Sequence, residues 1–238
     1  MEVAAGDQHF FETLVARYGY DEAVLHYEEM RERARIAEER NRADSQRDVE
    51  ICGVSLEESV ASPYADSHGA VDSISTPYGS LEVMLGRESF SKDDVLLDVG
   101  CGKGRPLAYL ASIGFPGKLV GIEINSLVAD FANGWAESFP NIEIYSGDVF
   151  DANVDSYTAF FMYYAMFPEV FVRFIEKIEK ELTHPARLYS LSDEGSGDFM
   201  DKRSGWSLLR RDWIYKVNGV IQHGQPERYS VWQYRPPC

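Results

Sequence analysis

Leu96-Leu97-Asp98-Val99-Gly100-Cys101-Gly102-Lys103-Gly104 is the stretch that decides the fold of this chain. An apolar run enters three glycines at alternate positions, and Arg105 to Ser112 then follows a helical pattern. Glycines at such a bend let the backbone turn tightly and approach a ligand with no side chain in the way. The helix behind them offers free N–H groups at its start. Several nucleotide folds use a glycine loop, and spacing separates them. A dinucleotide site needs G-x-G-x-x-G, and counting from Gly100 puts Arg105 where the last glycine belongs. A phosphate-binding P-loop needs Gly-Lys followed by Ser or Thr, and here Lys103 is followed by Gly104.

Outward from the loop the chain alternates regularly. Val95 to Val99, Leu119 to Ile124, Ile142 to Tyr145, Thr158 to Tyr163 and Arg187 to Leu191 read as short buried strands. Leu81 to Leu85, Arg105 to Ser112, Leu127 to Phe139 and Glu169 to Leu182 read as the helices between and before them. Uninterrupted apolar strands alternating with helices imply a parallel sheet covered on both faces. The tail differs: Trp213 to Val217 and Arg228 to Tyr234 alternate polar with apolar and are joined through Asn218-Gly219 and Gly224, which predicts an antiparallel pair at the end of the sheet. The second strand ends in Gly121-Ile122-Glu123-Ile124-Asn125, and the third in Ser146-Gly147-Asp148-Val149. An acid at the second tip can accept both hydroxyls of a ribose, and one at the third can accept from an adenine amino group. Each has a plainer reading too. The glycines can serve helix–sheet packing, Glu123 can be a solvated strand end, and Asp148 a turn residue.

The three strand tips together resemble those of the class I S-adenosylmethionine-dependent methyltransferases. The resemblance runs over roughly residues 76–235 and is densest from Asp98 to Asp148. It implies an α/β, Rossmann-like fold with a mostly parallel seven-stranded sheet, an antiparallel C-terminal strand pair and an N-terminal helical extension. It implies S-adenosyl-L-methionine as cofactor. Asp98, Gly100, Cys101, Gly102, Lys103 and Gly104 would line its methionine portion, Glu123 with Ile124 and Asn125 its ribose, and Asp148 with Val149 its adenine. Similar enzymes also carry a Thr- or Pro-containing segment that closes over the methionine end. Ser75-Thr76-Pro77-Tyr78-Gly79 matches it, with Thr76 and Tyr78 as contacts, though a turn with a packing tyrosine reads equally well. Cys101 reads as a small loop filler, since no histidine follows nearby to activate it.

The methyl acceptor is expected beyond the fourth strand tip, at Phe160-Phe161-Met162-Tyr163-Tyr164-Ala165-Met166-Phe167-Pro168. The Asn- or Asp-Pro-Pro-Tyr/Phe tetrad of many amino-methylating enzymes is missing there. No acid occurs between Asp155 and Glu169, so no metal site is implied, and the double-glutamate loop of arginine methyltransferases is missing as well. An aromatic lip remains, with Tyr163 and Tyr164 as candidate catalytic residues; aromatic faces hold apolar or cationic groups, and also fill cores. His68 and His184 are bases by type alone, and no catalytic base is assigned. The expected reaction is metal-independent methyl transfer to a small-molecule or peptide acceptor. A protein lysine methyltransferase of the non-SET type and a cofactor-binding, non-catalytic homologue are the alternatives.

The 238 residues carry 39 acids against 23 bases, a formal charge of −16. Such a balance repels phosphate backbones, so nucleic acid is not expected as a partner. No apolar run approaches the roughly 20 residues that cross a bilayer, and no leader pattern opens the chain, so no membrane partner and a cytoplasmic location are expected. Cys52, Cys101 and Cys238 have no metal-like spacing and read as reduced thiols. Residues 7–47 read as helical, broken at Gly19, with Asp21 able to cap the second piece. That places an N-terminal extension over residues 1–75, either a solvated helix packed by one edge or a cap over a substrate pocket, before a domain over 76–238.

Overall fold

The computed structural model describes residues 3–4 and 6–237; Cys238 lies outside them. Two helices open it, α1 (Gln8–Tyr18) and α2 (Tyr20–Cys52), followed by a one-turn α3 (Ala65–His68) and α4 (Tyr78–Leu85). Then come β1 (Val95–Val99), α5 (Arg105–Ser112), β2 (Lys118–Glu123), α6 (Ser126–Ala136), β3 (Ile142–Ser146), β4 (Ala159–Tyr163), α7 (Pro168–Glu181) and β5 (Ala186–Leu191). After the short α8 (Gly197–Met200) the chain closes with β6 (Trp206–Ile214), β7 (Lys216–Val217), β8 (Val220–Ile221) and β9 (Glu227–Tyr234).

Seven strands form one sheet in the order β3-β2-β1-β4-β5-β9-β6, parallel from β3 to β5, with β9 and β6 antiparallel. The sequence explains the two-faced burial directly. Along β1 Leu96 and Leu97 face opposite sides, and along β4 Phe160 and Phe161 do the same. One face takes α4, α5 and α6 through Leu81, Leu107 and Trp135; the other takes Phe171, Phe174, Ile175 and Ile178 of α7. Helices α5, α6 and α7 carry three of the four connections among the parallel strands, while β3 passes to β4 through two short 3-10 turns, and because the five strands run parallel their carboxyl ends lie along one rim.

The tail departs from the expected pairing. β6 begins at Trp206, seven residues before the expected Trp213, and pairs with β9 along its whole length. Asn218-Gly219 instead closes a separate small hairpin, β7 with β8, with Asn218 at φ 50°. A bulge between Leu208 and Arg210 breaks the alternation, and this edge strand is largely exposed, so its apolar signal is weak. At the other end, α2 starts at Tyr20 rather than behind an Asp21 cap, and it runs on to Cys52, where Gly53 adopts the left-handed conformation that ends it. Among the described residues no helix is long and apolar enough to cross a membrane.

Candidate active site

The carboxyl rim opens into a cavity of about 500 Å³. Its β1–β2 side is built on the glycine loop, with Asp98 and Glu123 at the two strand tips. Gly102 sits at φ 53°, and a Cβ there would collide with the Ser73 hydroxyl. Its N–H donates to Glu123 Oε2 at 2.8 Å, while the N–H of Asn125 donates to Glu123 Oε1 at 2.9 Å. Glu123 is buried, so its orientation is set before any ligand arrives. Gly104, at φ 85°, starts α5, and a Cβ there would lie 2.7 Å from Trp135 Cζ2. The Trp135 indole N–H donates to the carbonyl of Lys103 and pins the loop from behind.

Asp98 is the electrostatic anomaly of the site. It is 2% exposed, it lines the cavity, and its Oδ2 has no hydrogen-bond partner. Burial, reinforced by the nearby charge of Glu123, pushes its carboxyl well above the usual carboxylate range. A buried acceptor without a partner, on a residue that lines a cavity, is suited to a cationic donor. Cys101 also lines the cavity, and burial raises its thiol, which fits a filler rather than a nucleophile.

The expected residues divide by position. Thr76, Asp98, Gly100, Cys101, Gly102, Lys103, Glu123 and Ile124 all line the main cavity, together with Tyr163 and Tyr164. Asp148 and Val149 line a smaller adjoining cavity of about 50 Å³, which shares Gly100, Ile124 and Ala165 with the first. The Asp148 carboxylate accepts from the N–H of Phe150 at 2.9 Å, fixing it at the mouth of that annex. Three of the expected residues line neither cavity. Tyr78 is buried away from the cavity, with its hydroxyl donating to Asp48 Oδ1 at 2.9 Å, because the Asp48–Arg105 pair behind α5 claims it. Asn125 spends its side chain capping α6 through the N–H of Leu127 at 3.2 Å. Gly104 lies outside both cavities, with Trp135 where its side chain would be.

Other wall residues carry no local motif. The segment from Ala70 to Thr76 runs across the cavity as a strap, held by bridges from Ser73 to Val60 and from Ala70 to Met166. Arg105 lines it too, with its guanidinium fully buried: Nε and Nη2 meet the Asp48 carboxylate at 2.9 and 2.6 Å, and Nη2 meets Glu57 at 2.8 Å. Ser192 and Glu227, from the ends of β5 and β9, complete the far side. Ser192 (φ 60°) and Tyr164 (φ 42°) are left-handed without being glycine, a strain that tends to collect at functional rims. No described residue of α1 or α2 lines the cavity. Asp44 and Asp48 of α2 instead embrace Arg105, so this helix braces α5 from behind.

Residues 97–183 match the family model described as a methyltransferase domain. That segment is a methyltransferase domain, set in the Rossmann-like α/β fold. Protein 235L of Invertebrate iridescent virus 6, a methyltransferase by name, is 27% identical over 78 residues, covering 33% of this chain and 28% of that protein. The match thus spans less than a third of that relative's length. Among solved structures, a SAM-dependent methyltransferase from Aquifex aeolicus shares the fold at TM-score 0.52 and 16% identity, covering 73% of this chain and 94% of that one. The B. subtilis tRNA methyltransferase TrmK does so at TM-score 0.52 and 14% identity, covering 66% and 65%. This last neighbour corrects the expectation that nucleic acid is no partner. Net charge sums over the whole surface of a methyltransferase, whereas acceptors are recognised locally, so −16 does not decide the matter.

Proposed function

We propose that the domain holds S-adenosylmethionine along the β1–β2–β3 rim and transfers its methyl group, without a metal, to an acceptor seated against Tyr163 and Tyr164. One observation carries this reading: Asp98, whose buried Oδ2 has no partner, lines the same cavity as the pre-oriented Glu123 carboxylate. A methionine ammonium is the donor that Asp98 lacks, and ribose hydroxyls suit the remaining lone pairs of Glu123. Asp148 and Val149, at the adjoining annex, would take the adenine.

S-adenosylmethionine supplies a methyl group on positively charged sulfur. The chain's own work is to align and to exclude water, which contributes several kcal/mol in such displacements. Acidic groups dominate the cavity wall. Asp72, Asp98, Glu123 and Glu227 face it, whereas the two cations, Lys103 and Arg105, already meet Glu58 at 3.4 Å and Asp48 at 2.6 Å. Burial pushes the Tyr163 phenol up to about 12, so at neutral pH it keeps its proton and acts as a donor. The 160–168 tip brings no carboxylate that would hold a metal.

Titration calorimetry with S-adenosylhomocysteine tests the reading. The protein should bind it, and Asp98→Asn should weaken binding about tenfold or more while the fold persists. No heat at millimolar ligand would remove the proposal.

A further inference from the structure

The acceptor side of the cavity shows a chemistry of its own. Phe161, Tyr163, Tyr164 and Phe167 form its aromatic walls. Glu227, the first residue of β9, closes it beside Ser192. This carboxyl is half-buried, and among the described residues no cationic side chain offsets it. Burial pushes it above the usual range, the Ser192 hydroxyl opposes that shift, and the charge of Glu194 reinforces it. Of the two cavity-lining cations, Arg105 is consumed by Asp48 and Glu57, and Lys103 meets Glu58 at 3.4 Å. An aromatic chamber ending in one unbalanced carboxylate favours a ligand with an apolar body and a cationic head.

We propose that the methyl acceptor is a basic amine, with its ammonium drawn to Glu227 between the rings of Tyr163 and Tyr164, and that Glu227 takes its proton. This rests on the transfer reading above. The ammonium gives one proton to the Glu227 carboxylate, which returns it to solvent. The freed nitrogen lone pair forms the N–C bond as the methyl–sulfur bond breaks, and that bond's electron pair stays with sulfur. The product is the methylated ammonium with neutral S-adenosylhomocysteine. A raised carboxyl is the better proton acceptor for this purpose, because its basicity lies nearer that of the amine.

Labelled S-adenosylmethionine is offered with four acceptors in parallel: spermidine, a lysine-rich peptide, a simple phenol and an unmodified RNA oligonucleotide. Label should reach spermidine or the peptide, and the two arms tell a free amine from a side-chain amine. Glu227→Gln should lower kcat/KM for that amine about 100-fold. An arylamine, already neutral at pH 7, should lose far less. Calorimetry should show spermidine or the peptide binding to the S-adenosylhomocysteine complex about tenfold more weakly in Glu227→Gln, with cofactor affinity unchanged. That last control also shows the variant to be folded. Label on the phenol or the RNA, or on nothing while cofactor binds, overturns the amine assignment and leaves the cofactor reading standing. Failure of cofactor binding overturns both.

Discussion

On the β1–β2 side of the cavity the wall is a glycine loop tied down through its main chain, with the N–H groups of Gly102 and Asn125 locked onto Glu123 at 2.8 and 2.9 Å. On the β4–β5–β9 side it is side chain, with Tyr163, Tyr164, Ser192 and Glu227 arriving from three strands far apart in sequence. The first is braced by buried ion pairs from α2; the second is backed by a buried Ser80–His223 hydrogen bond of 2.8 Å, with the His223 ring centroid 6.0 Å from that of Tyr163. A wall fixed through its backbone is hard to vary and suits an invariant ligand. A wall built of side chains is easily altered and suits whichever acceptor one enzyme takes.

The largest expected effect lies behind the glycine-loop wall. Arg105→Met leaves Asp48 and Glu57 without their partner in a buried setting, and should cost about 3–5 kcal/mol of stability. Thermal unfolding should drop by roughly 6–20 °C, at about 2–4 °C per kcal/mol for a chain of this size. A smaller loss than that of a surface arginine such as Arg33 would break the claim that α2 stiffens the cofactor side.

The same contrast explains what could be read from the sequence. The parallel half was legible because buried strands and a glycine bend are local, period-marked signals: Val95–Val99 and Arg105–Ser112 fall where the pattern puts them. Strand-tip residues were legible because a parallel sheet delivers every tip to one rim. Tyr78 went astray because proximity in sequence says nothing of which way a ring turns, and Asp48, 30 residues upstream, decides it. Glu227 and Ser192 carry no motif, and they join the site only through the pairing of β5 with β9, a contact of long sequence separation. The start of β6 was hidden by its bulge and its exposure.

The two walls should also respond oppositely to acid. Burial, with added repulsion from Arg40, lowers His223 to about 4. Its unfolded form binds protons first, so this stability is full above about 6.5 and is lost as pH falls through about 4. Burial raises Asp44 to about 6 against the pull of Arg105. Its contribution runs the other way, full below about 3.9 and lost as pH rises through about 6. Each swing is about 3 kcal/mol at most, and in the wild type they largely offset each other. Urea titrations from pH 4 to 7 should therefore show His223→Gln gaining stability toward acid and Asp44→Asn losing it. Parallel slopes in the two variants would dissolve the contrast.

A comparable effect is expected on ligand affinity. Glu123→Ala frees the N–H groups of Gly102 and Asn125 from their acceptor and removes the proposed ribose contact, so S-adenosylhomocysteine affinity should fall about 100-fold. Glu227→Ala, on the other wall, should leave that affinity within about twofold. Equal losses in the two would mean that the walls are not separate in function.

The smallest effect probes strain on the acceptor wall. Tyr164 is left-handed at φ 42° and 48% exposed, so its ring gives up little burial if replaced. Asparagine adopts this backbone region more readily than tyrosine, and Tyr164→Asn should hold or raise stability by up to about 1 kcal/mol. The same variant should raise the acceptor KM several-fold, with cofactor affinity unmoved. Stability and function moving in opposite directions is the mark of strain kept for a site; a variant that loses both would show Tyr164 to be packing, and the acceptor wall to begin at Tyr163.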